Sequence, residues 1–315
     1  MIHTRINDLL QIKYPLFQGG MAWIADADLA SSVSEAGGLG IIAAGNADGD
    51  YVRREIRKAK ELTGKPFGVN IMLLSPHADE VAKVVAEEKV KVVTTGAGNP
   101  SKYMELWKER GITVIPVVAS KAMAKMMERS GADALIAEGG ESGGHVGDTT
   151  TMVLLPMISD SVSIPVIGAG GIADEREAAA SFILGAEGIQ MGTAFLAAKE
   201  CNIHPVYKEK IIKAGDRATM VTGKRLGHPV RSLSTSFARR YREAEYSSAS
   251  DEELEKLGVG ALRKAVKDGD EENGCFLSGQ AAYYVNEIKS AKDIVEEIMK
   301  GCERIMREGF SKWLE

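Results

Sequence analysis

The stretch with the most chemical content is Ala137-Glu138-Gly139-Gly140-Glu141-Ser142-Gly143-Gly144-His145-Val146-Gly147, which sets one histidine among five glycines in eleven residues. Imidazole titrates near neutral pH, so on a bare backbone loop it is suited to give a proton or to stabilise developing charge. His145 is therefore the candidate catalytic residue. His3, His77, His204 and His228 have no comparable surroundings and read as surface or packing residues. Glu138 and Glu141 lack a His or Cys at ligand spacing, and Cys201, Cys275 and Cys302 are scattered, so no metal site and no disulfide framework are expected. Two further clusters, Gly168-Ala169-Gly170-Gly171-Ile172 and Gly192-Thr193, suit a different task. Without a Cβ, backbone N–H groups can approach a phosphate closely. The competing reading is a pair of tight turns. Two such clusters following successive strands favour the phosphate.

These residues must be held by something, and the chain supplies a repeating frame. Short apolar runs recur along the first two-thirds of the chain: Pro15–Gln18, Leu39–Ala43, Phe67–Ile71, Val90–Thr94, Thr113–Val118, Ala134–Ala137, Pro165–Gly168 and Gly188–Met191. Runs without polar alternation suit strands buried on both faces, as in parallel sheets. Helical spacing separates them: Val52, Ile56, Ala59 and Leu62; Val81, Val84 and Val85; Ala122, Met123, Met126 and Met127. Strand and helix alternating eight times predict an α/β protein, a (β/α)8 TIM barrel. A doubly wound sheet would carry Gly-x-Gly-x-x-Gly after its first strand, where this chain has Gln18-Gly19-Gly20-Met21-Ala22-Trp23. In such barrels the strand C-terminal ends carry the chemistry, and the last two often bind phosphate.

The eighth strand is expected to end near Phe195. Residues 200–275 then change character and read as a small, mainly helical subdomain inserted after strand eight, with a capping box at Ser250–Glu253. Residues 1–199 and 276–315 would form the barrel. A long amphipathic helix after Gln280, with Ile288, Ala291, Val295, Ile298, Cys302 and Ile305 on one face, would close its wall. The chain of 315 residues has a net charge of −5, which gives no global attraction to nucleic acid. No apolar run is long enough for a membrane span, and the polar N-terminus suggests no secretory signal. A cytoplasmic enzyme is expected. Against that acidic background, Lys224, Arg225, Arg231, Arg239, Arg240 and Arg242 form a basic stretch inside the insert. It reads as a solvated face paired to Glu243 and Glu245, a phosphate-binding group, or a dock for an acidic partner.

Gln18 through Ala22, the strand end at Asn70, Glu138 through Gly147, Gly168 through Ile172, and Gly192-Thr193 together resemble the nitronate monooxygenase (2-nitropropane dioxygenase) superfamily of flavin barrels. Val146 after His145 and the run Thr149-Thr150-Thr151-Met152 are most similar to its enoyl-acyl-carrier-protein reductase II branch. Nitronate monooxygenases typically carry Arg after the histidine. The loop departs slightly from the family form at Gly140 and Ser142.

The resemblance implies FMN across the barrel mouth, its phosphate at Gly170, Gly171, Gly192 and Thr193. Gly20, Met21 and Ala22 would approach the ring through backbone atoms, and Asn70 would bond to it. Ser120, Glu138, Gly143, Gly144 and Ala169 would complete the cofactor pocket. It further implies NADH or NADPH as reductant, an acyl carrier protein as the partner presenting the enoyl substrate, His145 as proton donor or enolate stabiliser, a homodimer, and a response to a monovalent cation. Nitronate oxidation by O2 is the alternative within the superfamily. A non-redox barrel acting on a sugar phosphate is the alternative outside it.

Overall fold

The computed structural model describes residues 1–309, so the last six of the expected barrel segment 276–315 lie outside the described residues. Strands and helices alternate: α1 (Arg5–Leu10), β1 (Leu16–Gln18), α2 (Ala27–Glu35), β2 (Gly40–Ala43), α3 (Gly49–Leu62), β3 (Phe67–Met72) and α4 (Ala78–Glu87) come first. They continue with β4 (Val92–Gly96), α5 (Ser101–Glu109), β5 (Thr113–Val118), α6 (Lys121–Arg129) and β6 (Leu135–Glu138). After a short β7 (Gly144–His145) come α7 (Thr151–Ser159), β8 (Val166–Ala169), α8 (Glu175–Ile183) and β9 (Gly188–Met191).

All eight apolar runs are strands of one parallel sheet, ordered β1-β9-β8-β6-β5-β4-β3-β2. Its ends meet: Gln18 N donates to Leu39 O at 3.0 Å and Leu39 N to Leu16 O at 2.8 Å. The buried Gln18 amide adds two bonds of 3.2 Å to the Ile41 backbone. The sheet is thus a (β/α)8 barrel. Phe17, Ile41, Ile115, Ile136 and Ile167 fill its interior, with Ile6 and Leu10 of α1 packed against them. Burying such side chains contributes about 1.5–3 kcal/mol each, which is what the uninterrupted apolar runs provide.

The remaining elements are α9 (Thr193–Leu196), α10 (Pro205–Ile212), β10 (Thr219–Thr222), β11 (Val230–Leu233), α11 (Ser236–Glu245), α12 (Asp251–Gly258), α13 (Ala261–Arg263) and α14 (Ala291–Glu308), with a short π-helix at Lys264–Asp268 and a 3-10 helix at Gln280–Tyr284. The expected capping box opens α12, with Glu253 N donating to Ser250 Oγ at 3.2 Å. Helix α14 packs on α8 and α2, closing the wall as expected.

Four local readings change. The eighth strand stops at Met191, and Thr193–Leu196 is already helical. The last helix begins at Ala291, capped by Ser290, so Ile288 lies outside it and is 46% exposed. On α6 the buried residues are Ala124 and Met127, whereas Ala122 and Met126 face solvent; in an Ala/Met-rich helix several apolar stripes coexist and packing selects one. Within 200–275 the helices are joined by a β-hairpin, β10–β11, which pairs with β7 in a three-stranded antiparallel sheet.

Candidate active site

Strand C-terminal ends converge on a cavity of about 310 Å³, at the small end of the ~300–1,000 Å³ usual for ligand sites. One wall is the loop after β1, at Gly20, Met21 and Ala22. Gly20 has no room for a side chain: a Cβ there would fall 2.3 Å from that of Asn70 at the end of β3. Asn70 Nδ2 donates to Thr94 Oγ1 at 2.9 Å, which fixes the amide.

The opposite wall follows β8 and β9. Gly170 and Gly171 are in the left-handed region, at φ +92° and +75°, so the chain turns with its amides bare. A Cβ on Gly192 would meet nothing nearer than Met21 Sδ at 3.6 Å, an ordinary contact across the cavity wall. Thr193 Oγ1 accepts from Gly279 N at 2.9 Å, leaving its O–H free to donate. Such a cradle fits the phosphate of a nucleotide cofactor, and the wider cavity lined by Ala43, Met72, Val117 and Leu277 fits an apolar ring.

The glycine-rich loop after β6 closes the third side and is tied at many points. Gly139 N donates to Ala169 O at 2.9 Å and Gly140 N to Thr149 O at 2.8 Å. The Glu141 carboxylate accepts from Thr151 N at 2.9 Å and so caps α7. Gly144 and His145 pair with Arg231 and Val230 of β11. Val146 N donates to Pro229 O at 3.0 Å. His145 consequently stands at the cavity mouth, partly in solvent. Withdrawal of ring hydration by the surrounding chain, with His228 nearby, holds its pKa below the ordinary value. The shift favours the neutral ring, whose one N–H can donate a hydrogen bond.

Glu138 ends β6 at the cavity floor, and burial pushes its carboxyl up to about 7. The side chain still faces the cavity, so water there reduces the penalty and an occupant would increase it. A raised acid pKa means the native state binds the proton more tightly than the unfolded chain. Stability should therefore fall as pH rises from about 4.5 to about 7, and stay level above. Glu138→Gln removes this loss: thermal scans should show the variant above the parent at neutral pH and level with it near the lower limit. An equal gap at both ends would mean that the carboxyl is not desolvated.

Of the residues expected in the site, the structure gathers Gly20, Met21, Ala22, Asn70, Glu138, Gly143, Gly144, His145, Ala169, Gly170, Gly171, Gly192 and Thr193 around this cavity. Ser120 is the exception. It caps α6, accepting from Met123 N at 3.2 Å, and is exposed instead of lining the cavity. The sequence reading missed Gln190 and the segment Leu277–Gly279, which covers the glycine-rich loop so closely that a Cβ on Gly143 would lie 2.7 Å from Gly279 N. The basic stretch is dispersed. Arg225 pairs with Asp251 at 2.9 Å, and Glu245 is no partner for the arginines of its own helix. It is buried, accepting from the backbone N of Arg225 at 2.8 Å and of Gly223 at 3.2 Å. Among the described residues no group of three or more His, Cys, Asp or Glu is placed to hold a metal, and no helix is long and apolar enough to cross a membrane.

Known proteins share both sequence and fold. The nitronate monooxygenase family model matches residues 3–88 and 77–301. A probable nitronate monooxygenase of Staphylococcus saprophyticus is 33% identical, over 97% of this chain and 99% of its own. A Mycobacterium tuberculosis protein, (3aS,4S,5R,7aS)-5-hydroxy-7a-methyl-1-oxo-octahydro-1H-indene-4-carboxyl-CoA dehydrogenase, is 31% identical, with 95% of each chain covered. The solved structure of FabK from Thermotoga maritima superposes with a TM-score of 0.97 at 54% identity, covering 100% of both chains. The chain belongs to the nitronate monooxygenase family.

Proposed function

We propose that the protein reduces trans-2-enoyl thioesters with NADH or NADPH through bound FMN, and that its natural substrate is carried on acyl carrier protein in fatty-acid elongation. The observation carrying this reading is His145, held by β-pairing at the mouth of a cavity whose far wall is a glycine cradle. The full-length likeness to FabK, the enoyl-acyl-carrier-protein reductase II type, supports it, as does Val146 after the histidine.

In this reading Gly170, Gly171, Gly192 and Thr193 hold the FMN phosphate. Gly20, Met21 and Ala22 present backbone to the ring and Asn70 its amide, while Glu138, Gly143, Gly144 and Ala169 complete the walls. Bound FMN supplies a two-electron carrier that takes hydride from the nicotinamide and passes it to the β-carbon of the enoyl thioester. The electron pair of the double bond moves to the α-carbon and thioester oxygen, and the α-carbon gains a proton. A neutral His145 N–H can bond to that oxygen as charge builds, while solvent entering at the cavity mouth supplies the proton to the α-carbon. The unit 200–275 is the substrate-side cover of the barrel formed by 1–199 and, among the described residues, 276–309, since its hairpin holds the histidine strand. Arg239 and Arg242, exposed on α11, suit an acidic carrier protein, whereas Arg240 is engaged with the Glu272 carbonyl at 2.8 Å.

The test is a side-by-side assay of the purified yellow protein. Crotonyl thioesters should be reduced at the expense of NAD(P)H, and kcat/KM for the carrier-protein thioester should fall with added salt far more than for the CoA thioester. Oxygen consumption on an alkyl nitronate without enoyl reduction would transfer the chain to nitronate oxidation. A colourless protein that cannot be loaded with FMN would end the flavin reading.

A further inference from the structure

Arg231 reaches out of the hairpin and takes hold of the loop that carries His145. Its Nε and Nη2 both donate to the Gly140 carbonyl, at 3.2 and 2.9 Å, across 91 positions of sequence. Its Nη1 donates to Thr219 Oγ1 on the neighbouring strand at 3.2 Å. These partners are a carbonyl and a hydroxyl, with no carboxylate among them. The residue is half-buried, and the loss of hydration outweighs the through-space attraction of the Glu141 carboxylate, an arrangement that costs stability. An apolar residue would pack such a site at lower cost. What the guanidinium adds is a planar fork on a single carbonyl, which fixes direction as well as distance.

The clamp sits where direction matters. Arg231 is the register partner of Gly144, and Val230 that of His145. Gly140 is the point where the loop leaves Gly139, whose N is tied to β8. Between Gly140 and His145 the chain runs Glu141-Ser142-Gly143-Gly144, and Gly144 is at φ +82°. Two glycines just before the imidazole leave its own placement soft, so it depends on the ties along the loop, among them Gln280 N to Glu141 O at 2.9 Å and the Arg231 fork on Gly140.

We propose that Arg231 is the positioning residue of the His145 loop: it locks the Gly140 carbonyl to the strand that pairs with Gly144–His145 and so sets the imidazole against the cavity. The inference rests on the reading of His145 given above.

Arg231→Met and Arg231→Lys in the flavin-loaded protein test it, with visible flavin absorbance and melting temperature confirming the fold. In Arg231→Met the kcat for enoyl reduction should fall ~10-fold, as expected when a reacting group is slightly misplaced. The KM for NAD(P)H and the rate of flavin reduction should stay within about twofold. Amide exchange across residues 140–146 should quicken by ~10-fold without a general increase elsewhere, read on the cofactor-free protein as well. Arg231→Lys should recover part of both effects, and it carries the test alone if the methionine variant loses its flavin.

In a His145→Ala background, Arg231→Met should cost less than about twofold more, because a clamp acting through His145 has nothing left to position. A full further loss in that background, a raised KM for NAD(P)H, or unchanged exchange in the loop would each overturn the clamp. If His145→Ala itself retained full enoyl reduction, the functional reading would fall, a result distinct from any of these.

Discussion

Under the proposed function, replacing His145 by alanine should lower enoyl-thioester reduction by ~10²-fold or more while the protein keeps its flavin. The fold should survive because β7 and β11 pair through backbone atoms, and the ring stands at the cavity mouth outside the core. Both kcat and kcat/KM for the enoyl substrate should fall together, the signature of an interaction made chiefly in the transition state. Reduction of the flavin by NAD(P)H should change little, since that half-reaction builds no enolate charge for His145 to stabilise. Rapid mixing separates the two. Equal losses in both halves would make His145 a cofactor-positioning residue and remove it from the chemistry. The depressed pKa adds a second expectation: a neutral ring is the working form, so enoyl reduction should persist above neutral pH instead of collapsing as an imidazolium loses its proton.

The barrel was legible because burying a parallel strand on both faces demands uninterrupted apolar residues, and eight such runs were present. Sites at strand ends then followed from the frame, which is why the glycines after β8 and β9 and the His145 loop could be marked from sequence. The missed parts lack any period. Gly144–His145 is too short to show a strand pattern, and its partner Val230–Leu233 contains Arg231 and Ser232, which an apolar count scores as loop. The Leu277–Gly279 cover is irregular chain, held by contacts such as Gly279 N to Thr193 Oγ1 that join residues 86 positions apart. Ser120 shows the converse error. A serine following a strand can line a site or cap the next helix, and here the unsatisfied amide of Met123 claims it. On α6 the choice among apolar stripes was made by β5 and α7 packing against it, information that lies outside the helix.

Gly171→Val should strip FMN from the protein while leaving the barrel folded. Gly171 sits at φ +75°, and a β-branched residue there costs on the order of 1–3 kcal/mol of backbone strain. Its Cβ would lie 3.3 Å from that of Glu141, whose side chain caps α7 through Thr151, so the loop after β8 must move to relieve the contact. The adjacent glycine is the poorer probe: a Cβ on Gly170 would lie 2.8 Å from the Gly139 carbonyl, a clash with backbone that threatens the β6–β8 register itself. At Gly171 the obstacle is a side chain, so displacement stays local and falls on the amides expected to hold the phosphate. The measurement is the ratio of visible flavin absorbance to protein absorbance after reconstitution and gel filtration, with far-ultraviolet circular dichroism confirming the fold. Gly171→Ala, which shares the strained backbone but carries less bulk, should retain an intermediate amount. Full occupancy in a folded Gly171→Val would place the phosphate away from the β8 and β9 loops. Loss of flavin together with collapse of the dichroism spectrum would mean that Gly171 serves the barrel before it serves the cofactor.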